Sequence, residues 1–267
     1  THIKVRLHPD DSWYISDIAA WCNMMIYDGP NDGVNLKNPD GDLPSTDDLN
    51  NVMKYAPLYR AASPWNGGLH LYLNGELVSD LTIPNGVKDI NGYMFSFSHD
   101  IKSLVVADSV ESIGRSAFSF CSNLTSVVLG AGVSNIHSAA FCQCAKLKSI
   151  TFNGDAPHMG VMVFRAIDPT CRVYVKRGTD GWGDVPGTWY GMPTAYSTFN
   201  VTFNAVSGTV SEKEREVGNG SAIGALPVPT REGYAFSGWW TTENGGSQIT
   251  ATTQVTKDII CYAHWTI

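Results

Sequence analysis

Between Leu81 and Asn153 the apolar residues return to the same places every 23 residues. Aligned on their first apolar position, the units begin at Leu81, Leu104, Val127 and Ile150. Column three then reads Ile83, Val106, Leu129 and Phe152, and column seven reads Val87, Val110 and Val133. Column ten is Ile90, Ile113 and Ile136; column fifteen is Phe95, Phe118 and Phe141; column twenty-one is Ile101, Leu124 and Leu147. A fixed period in this range, apolar in the same columns each time, means one supersecondary unit stacked on copies of itself. Columns one and three are predicted to face the core from a short strand. The Phe of column fifteen and the Leu or Ile of column twenty-one are predicted to seal a returning turn or helical segment. The expected architecture is a solenoid whose strands form a parallel ladder.

Outside the repeats the pattern changes character. Thr1–His8 alternates Ile3, Val5 and Leu7 with polar residues, the period of a half-buried strand. Trp13–Tyr27 is dense enough in aromatic and apolar residues to be core. Asp28–Asp48 is a stretch of Asp, Asn, Gly and Pro that reads as a loop. Within Leu69–Leu81, Asn74-Gly75 separates two β-prone runs and predicts a hairpin with a type I′ turn. The period lapses from Asp155 to Ser197, a segment predicted to cap the open end of the stack with one strand at Arg172–Lys176. From Thr198 onward, short alternating strands are separated by Gly, Asn and Pro turns.

Two resemblances attach to these patterns. Ser109-Val110-Glu111-Ser112-Ile113-Gly114-Arg115-Ser116-Ala117-Phe118, continued by Cys121 and Leu124, resembles the repeat of bacterial BspA-like leucine-rich-repeat surface proteins. ISDIAAWCNM, APLY and LYLNGELVSDLTIP resemble a variant unit of the same family, here swollen by the Asp28–Asp48 insertion. Val201-Thr202-Phe203-Asn204, Gly208-Thr209-Val210, Gly233-Tyr234-Ala235-Phe236-Ser237-Gly238-Trp239 and Tyr262-Ala263-His264-Trp265 resemble the Listeria–Bacteroides repeat, the B-repeat of internalin-type surface proteins. Together they imply an α+β or mostly β fold: a leucine-rich-repeat solenoid, capped, then a small β-grasp-like, ubiquitin-like domain. The expected parts are a solenoid over 1–154, a cap and connection over 155–197, and the repeat domain over 198–267.

Composition narrows the chemistry. Of 267 residues 43% are hydrophobic and 16% charged, with 26 Gly and 13 Pro, which suits turn-rich β structure better than long surface helices. The net charge of −7 argues against a nucleic-acid partner, which would need clustered Lys and Arg. No run of about 18 apolar residues is present, so no membrane insertion is expected of this chain. The chain begins at Thr1 and is read as a mature or excised fragment. The cysteines Cys22, Cys121, Cys142, Cys144, Cys171 and Cys261 form no metal-binding spacing. Buried thiols are the first expectation for them, a disulfide the second and a metal the last. Cys121 and Cys144 share a column with Ser98, which points to a packed turn position for a small side chain.

Candidate binding residues come from two places. The outward column of the strands carries Thr82, Val105, Val128 and Thr151, preceded by Ser103, Ser126 and Ser149. It offers no His, Cys, Asp or Glu for acid–base or nucleophilic work. In the Gly-rich loop near the end of the cap, Trp182, Trp189 and Tyr190 are either a platform for sugar or a plug over the exposed core. Asp28, Asp32, Asp40 and Asp42 invite a calcium reading but miss the D-x-[DN]-x-[DN]-G register, and a solvated loop competes with it. The seven histidines are dispersed, and no GxSxG, HExxH or GxxxxGK occurs. The expectation is a non-enzymatic binding or adhesion protein, extracellular or at a cell surface, without a cofactor. Its ligand would be protein or glycan, with further copies of its modules in a longer parent chain. The competing expectation is an ancillary carbohydrate-binding or structural module of a larger secreted enzyme or filament.

Overall fold

A computed structural model describes residues 6–7, 12–15, 18–19 and 70–267. It divides into two compact units, Thr1–Ala195 and Tyr196–Ile267. The first opens with β1 (Arg6–Leu7), β2 (Ser12–Ile15), β3 (His70–Leu73) and β4 (Glu76–Leu77), which pair in that order. β3 and β4 form the predicted hairpin, with Asn74 at φ 52° and Gly75 at φ 90° in its turn. Most of Trp13–Tyr27, and all of Asp28–Asp48, lies outside the described residues.

The repeats follow as two interleaved series of strands. β5 (Asp80–Ile83), β6 (Asp89–Ile90), β7 (Ser103–Val106), β8 (Ser112–Ile113), β9 (Ser126–Leu129), β10 (Asn135–Ile136), β11 (Ser149–Phe152), β12 (His158–Met159) and β13 (Arg172–Val175) alternate along the chain. The four-residue strands β5, β7, β9, β11 and β13 form a parallel ladder, Asp80 beside Ser103, Ser126 beside Ser149, and Ser149 beside Arg172. The two-residue strands β6, β8, β10 and β12 form a second parallel ladder. β14 (Gly187–Trp189) and β15 (Met192–Tyr196) extend the first ladder into a seven-stranded sheet. On every long strand the predicted columns are buried: Leu104 and Val106, Val127 and Leu129, Ile150 and Phe152.

The return segment of each unit is neither strand nor helix. It is a run of turns in which two residues per unit hold a left-handed backbone: Tyr93, Ser116, Ala139 and Met162 in one column (φ 60°, 52°, 59°, 57°) and Phe97, Phe120, Gln143 and Ala166 in another (φ 62°, 60°, 64°, 57°). None is glycine, and such a conformation costs about 1–2 kcal/mol per residue. What holds it is a third ladder. Tyr93 N–H donates to the Arg115 carbonyl (2.9 Å), Phe95 N–H to Ala117 (2.8 Å) and Phe97 N–H to Ser119 (2.9 Å). The next unit repeats this through Ser116 N–H to Ser138 (3.0 Å), Phe118 N–H to Ala140 (2.8 Å) and Phe120 N–H to Cys142 (2.9 Å). The amides between them bond within the turn, as Ser119 N–H does to the Ser116 carbonyl (3.1 Å). Twisting the backbone at these two columns thus sends alternate N–H groups across to the neighbouring unit and satisfies buried backbone that has no other partner.

The column-fifteen rings fill the interior behind this ladder. Phe95 and Phe118 stack at 5.2 Å between centroids, Phe118 and Phe141 at 5.3 Å, and Phe141 and Phe164 at 5.7 Å. Phe164 and Met159 keep columns fifteen and ten in the unit after Asp155. The stack therefore runs one turn further than the lapse at Asp155 implies, and β13 stands in step with β11. Packing between turns is close enough that a Cβ on Gly130 would lie 2.4 Å from the Ala107 carbonyl.

The second unit is one five-stranded sheet of β16 (Thr198–Asn204), β17 (Glu214–Gly218), β18 (Ala235–Trp240), β19 (Gln248–Ile249) and β20 (Ile259–Thr266), in the order β17-β16-β20-β18-β19. The central pair β16 and β20 is parallel, and the flanking pairs are antiparallel. Its core gathers Val201, Phe203, Trp239, Ile249, Val255 and Cys261 on one face. Trp239 donates its indole N–H to the Pro227 carbonyl at 2.8 Å, which closes the loop before β18 over that core.

Removing a ring from the middle of the stack leaves a cavity between two neighbours, so Phe118→Ala is expected to cost about 3–5 kcal/mol. Phe164→Ala, at a half-buried ring with one stacking neighbour, is expected to cost less. Urea unfolding followed by circular dichroism checks the order of the two.

Candidate binding surface

The strand face of the solenoid is built by alternation. Since one residue in two points outward, each long strand contributes two outward positions to the seven-stranded sheet. The first is Asp80, Ser103, Ser126, Ser149 and Arg172, and the second is Thr82, Val105, Val128, Thr151 and Tyr174. Thr82 is exposed and Val105 is 43% exposed, while Val128, Thr151 and Tyr174 are half-buried. The parallel register sets Thr82, Val105, Val128, Thr151 and Tyr174 side by side in one row, at the interstrand spacing of about 4.8 Å. Tyr174 escaped the sequence reading because the period lapses at Asp155; its place two residues into a strand-like run was the available signal.

This surface is short of charge. At one end the Asp80 carboxylate accepts hydrogen bonds from the hydroxyls of Ser103 and Ser79, the latter at 2.9 Å. Those two bonds, Ser103 first, hold the Asp80 carboxyl below the usual range. Arg172 stands exposed at the other end. Such a face offers van der Waals contact and hydroxyl hydrogen bonding over several strands, with an anion and a cation at opposite limits.

The aromatic loop is arranged differently. Trp182 and Trp189 are 4% and 9% exposed and pack with each other at 4.9 Å between ring centroids. Both also meet Phe152 of β11, at 4.8 and 5.3 Å. The Trp182 indole N–H donates to the Thr179 hydroxyl at 3.0 Å, so its polar edge is also engaged. These rings fill the end of the core. Tyr190 is 66% exposed and lies edge-on to Trp189 at 4.8 Å, the one member of this trio with an accessible ring.

The other candidates separate in space. Asp28, Asp32, Asp40 and Asp42 lie outside the described residues, and among the described residues no three His, Cys, Asp or Glu side chains converge as metal ligands would. Two polar pairs that the sequence reading missed form where the turn segment meets the next strand. His99 Nδ1 lies 2.6 Å from the Ser122 hydroxyl, one repeat away, and His70 Nδ1 lies 2.5 Å from an Asp100 oxygen. Burial lowers the His99 pKa, opposed by the nearby Asp100 and assisted by His70, so the imidazole is neutral at pH 7. The carboxylate sits on His70 and the hydroxyl on His99. The groups are two pairs and not one Asp–His–Ser relay through a single imidazole.

Cys121, Cys142, Cys144, Cys171 and Cys261 are free thiols, and Cys22 lies outside the described residues. Cys121 and Cys144 occupy the packed turn position, each Sγ 3.2 Å from the carbonyl of the column-fifteen Phe one unit earlier, Phe95 and Phe118. Burial pushes the Cys144 thiol up to about 12 and the Cys171 and Cys261 thiols up to about 11, with Cys121 also raised well above its ordinary value.

A stack of 23-residue turns that presents a broad strand face is a repeat solenoid, a class of protein that works by offering surface. Residues 71–171 match the BspA type leucine rich repeat region in 6 copies, and residues 199–264 match the Listeria-Bacteroides repeat domain. The chain belongs to the BspA-type leucine-rich-repeat proteins and carries a Listeria–Bacteroides repeat. The crystal structure of a leucine-rich repeat protein from Bacteroides capillosus ATCC 29799 is 32% identical, covering 37% of this chain and 73% of that one, with a TM-score of 0.30. No curated protein matches the chain.

The thiols give this unit a dependence on alkaline pH. An unfolded thiol loses its proton near 9.0, whereas the folded Cys144 holds it to about 12. Between those values unfolding releases protons, so the contribution is complete below the lower value and is lost as pH rises through the window. The urea midpoint is expected to fall steadily above about pH 9, and Cys144→Ser to reduce that slope.

Proposed function

We propose that the chain is a binding and adhesion module of an extracellular or cell-surface protein, in which the solenoid's strand face recognises a protein partner. The observation that carries this reading is the row Thr82, Val105, Val128, Thr151 and Tyr174, a line of uncharged side chains in register across five strands. Acid–base or nucleophilic chemistry needs a converging pair in a pocket, and this row supplies none of those groups. Leucine-rich repeats generally mediate protein binding, and both repeat families are typical of bacterial surface or secreted proteins. Among the described residues no helix is long and apolar enough to cross a membrane.

In this reading the chain works as solenoid, cap and terminal domain, with Tyr190 at the cap's surface as a secondary contact. The terminal domain is a β-grasp-like spacer or interaction module. Counting its strands from β16, the order is two-one-five-three-four with first and last parallel at the centre, which supports the β-grasp assignment. No helix covers that sheet among the described residues of the unit. The exposed Tyr190 supports glycan contact as a second reading.

Val105→Arg places a long cation within the strand row at an exposed site, where stability changes stay within about 0.5 kcal/mol. Binding to extracellular-matrix proteins, measured by surface plasmon resonance, is expected to fall at least about tenfold with Val105→Arg and to survive Tyr190→Ala. A glycan-array signal lost with Tyr190→Ala and kept with Val105→Arg would establish the carbohydrate reading in its place.

A further inference from the structure

The stack is capped on one of its three sides. β15 and β14 continue the strand ladder beyond β13. Nothing among the described residues continues the other two ladders. Within the stack, each unit shows its successor two carbonyls and then three N–H groups, and the parallel register sets one strand amide, Ile90 N–H, between the two carbonyls. The Lys88 carbonyl accepts from Glu111 and Ser112 N–H (2.8 and 3.3 Å) and the Ile90 carbonyl from Gly114 N–H (2.7 Å). Tyr93, Phe95 and Phe97 then donate to Arg115, Ala117 and Ser119. In the final unit Met159 N–H takes the place of that strand amide, and the equivalents of the other five are the carbonyls of Pro157 and Met159 and the N–H groups of Met162, Phe164 and Ala166. Among the described residues none of the five has a hydrogen-bond partner.

The donors at this edge are the ends of polarised rows. Tyr93 N–H meets the Arg115 carbonyl, whose own peptide N–H on Ser116 meets Ser138, and Ala139 N–H meets Val161 at 2.9 Å. The row finishes on the free N–H of Met162. A second row passes through Phe95, Phe118 and Phe141 to Phe164, and a third through Phe97, Phe120 and Gln143 to Ala166. Each peptide carries a dipole of about 3.5 D, and here, as in a helix, they add head to tail. The two carbonyls beside the donors repel a simple anion, so the edge as a whole calls for polypeptide backbone. It is also apolar: Val161 is 47% exposed, and among the described residues Phe164 stacks on Phe141 alone where Phe118 is covered on both faces.

We propose that Pro157–Ala166 is a docking edge for an extended peptide segment of a partner protein, which adds one more turn to the two uncapped ladders. The segment runs parallel to Pro157–Ala166, presents two N–H groups with a carbonyl between them and then three further carbonyls on alternate residues, and lays an aromatic or branched side chain over Phe164. This is backbone-directed recognition, as in strand addition to a sheet edge, with specificity from the residue that covers the ring. It uses a different side of the solenoid from the strand face and does not rest on the adhesive reading.

The chain supplies its own probe. Glu111–Cys121 already meets the preceding unit in this way, with Phe118 over Phe95 at 5.2 Å. A synthetic peptide of that sequence is expected to bind the intact protein saturably and to slow hydrogen exchange of the Met162, Phe164 and Ala166 amides by about tenfold or more. A Gly114→Pro peptide, which lacks the N–H for the Met159 carbonyl, is expected to lose that protection. So is the Val161→Asp protein, whose altered side chain is exposed and whose fold is checked by its unchanged thermal transition. Unchanged exchange at these amides with about 1 mM peptide overturns the proposal. Equal protection by the Gly114→Pro peptide, or in the Val161→Asp protein, overturns it as well.

Discussion

The rest of the solenoid depends on the hydrogen bonds that pass from each turn to the next. All three sides of a turn are bonded to the neighbouring turn, two through short strands and one through left-handed turn residues. An insertion on any side would put that ladder out of register with the other two. The period is therefore a closure condition: one residue more or fewer moves every downstream donor away from its acceptor. The non-glycine residues at positive φ are held by the same condition. Tyr93 and Phe97 keep an unfavourable backbone because relaxing it would turn the N–H groups that join the units away from their acceptors.

The strand side and the ring column were legible in the sequence because burial leaves a chemical mark. Leu104, Val106, Phe118 and Leu124 recur as apolar residues wherever the turn closes on the core. The third side left no such mark. Left-handed geometry in this fold is carried by Tyr, Ser, Ala and Met in one column and by Phe, Gln and Ala in the other, so residue type does not announce it. That is why a helical return remained open from the sequence and a turn ladder was found. The lapse at Asp155 has a similar cause. Met159 and Phe164 keep their columns, but the cysteine and leucine positions are filled by Ile167 and Thr170, and two conserved columns read as too few.

The surface residues divide by the same logic. Trp182 and Trp189 are large and close the end of a core that would otherwise meet water, which explains their burial against Phe152. Their sequence context, a Gly-rich loop, suits a platform and a plug equally, and only the neighbouring Phe152 decides between them. The His99–Ser122 contact arises from stacking as well. Residues 23 apart are neighbours in this fold, so a polar residue in one turn finds its partner in the next. Lys146 and Asn123 show the same relation at 2.7 Å. Polar pairs at this spacing are consequences of the period before they are evidence of chemistry.

Because the turn ladder has a direction, the two ends of the solenoid are chemically different. On the third side every inter-turn N–H points toward the later unit and every carbonyl toward the earlier one, whereas on the parallel strand sides N–H and carbonyl groups point both ways. A cap for the later end must therefore accept along the third side and both donate and accept along the strand sides. A two-stranded hairpin such as β14–β15 can satisfy only one straight edge at a time, and it lies on the strand side. The cap that this chain builds is thus complete for the side with the longest strands and the most backbone to satisfy. The shorter sides retain their hydrogen-bonding capacity at the surface, where water or another chain can meet it. In a solenoid the scaffold and the unsatisfied edge come from the same repeat, so the terminal turn inherits the binding pattern that every internal turn has already used.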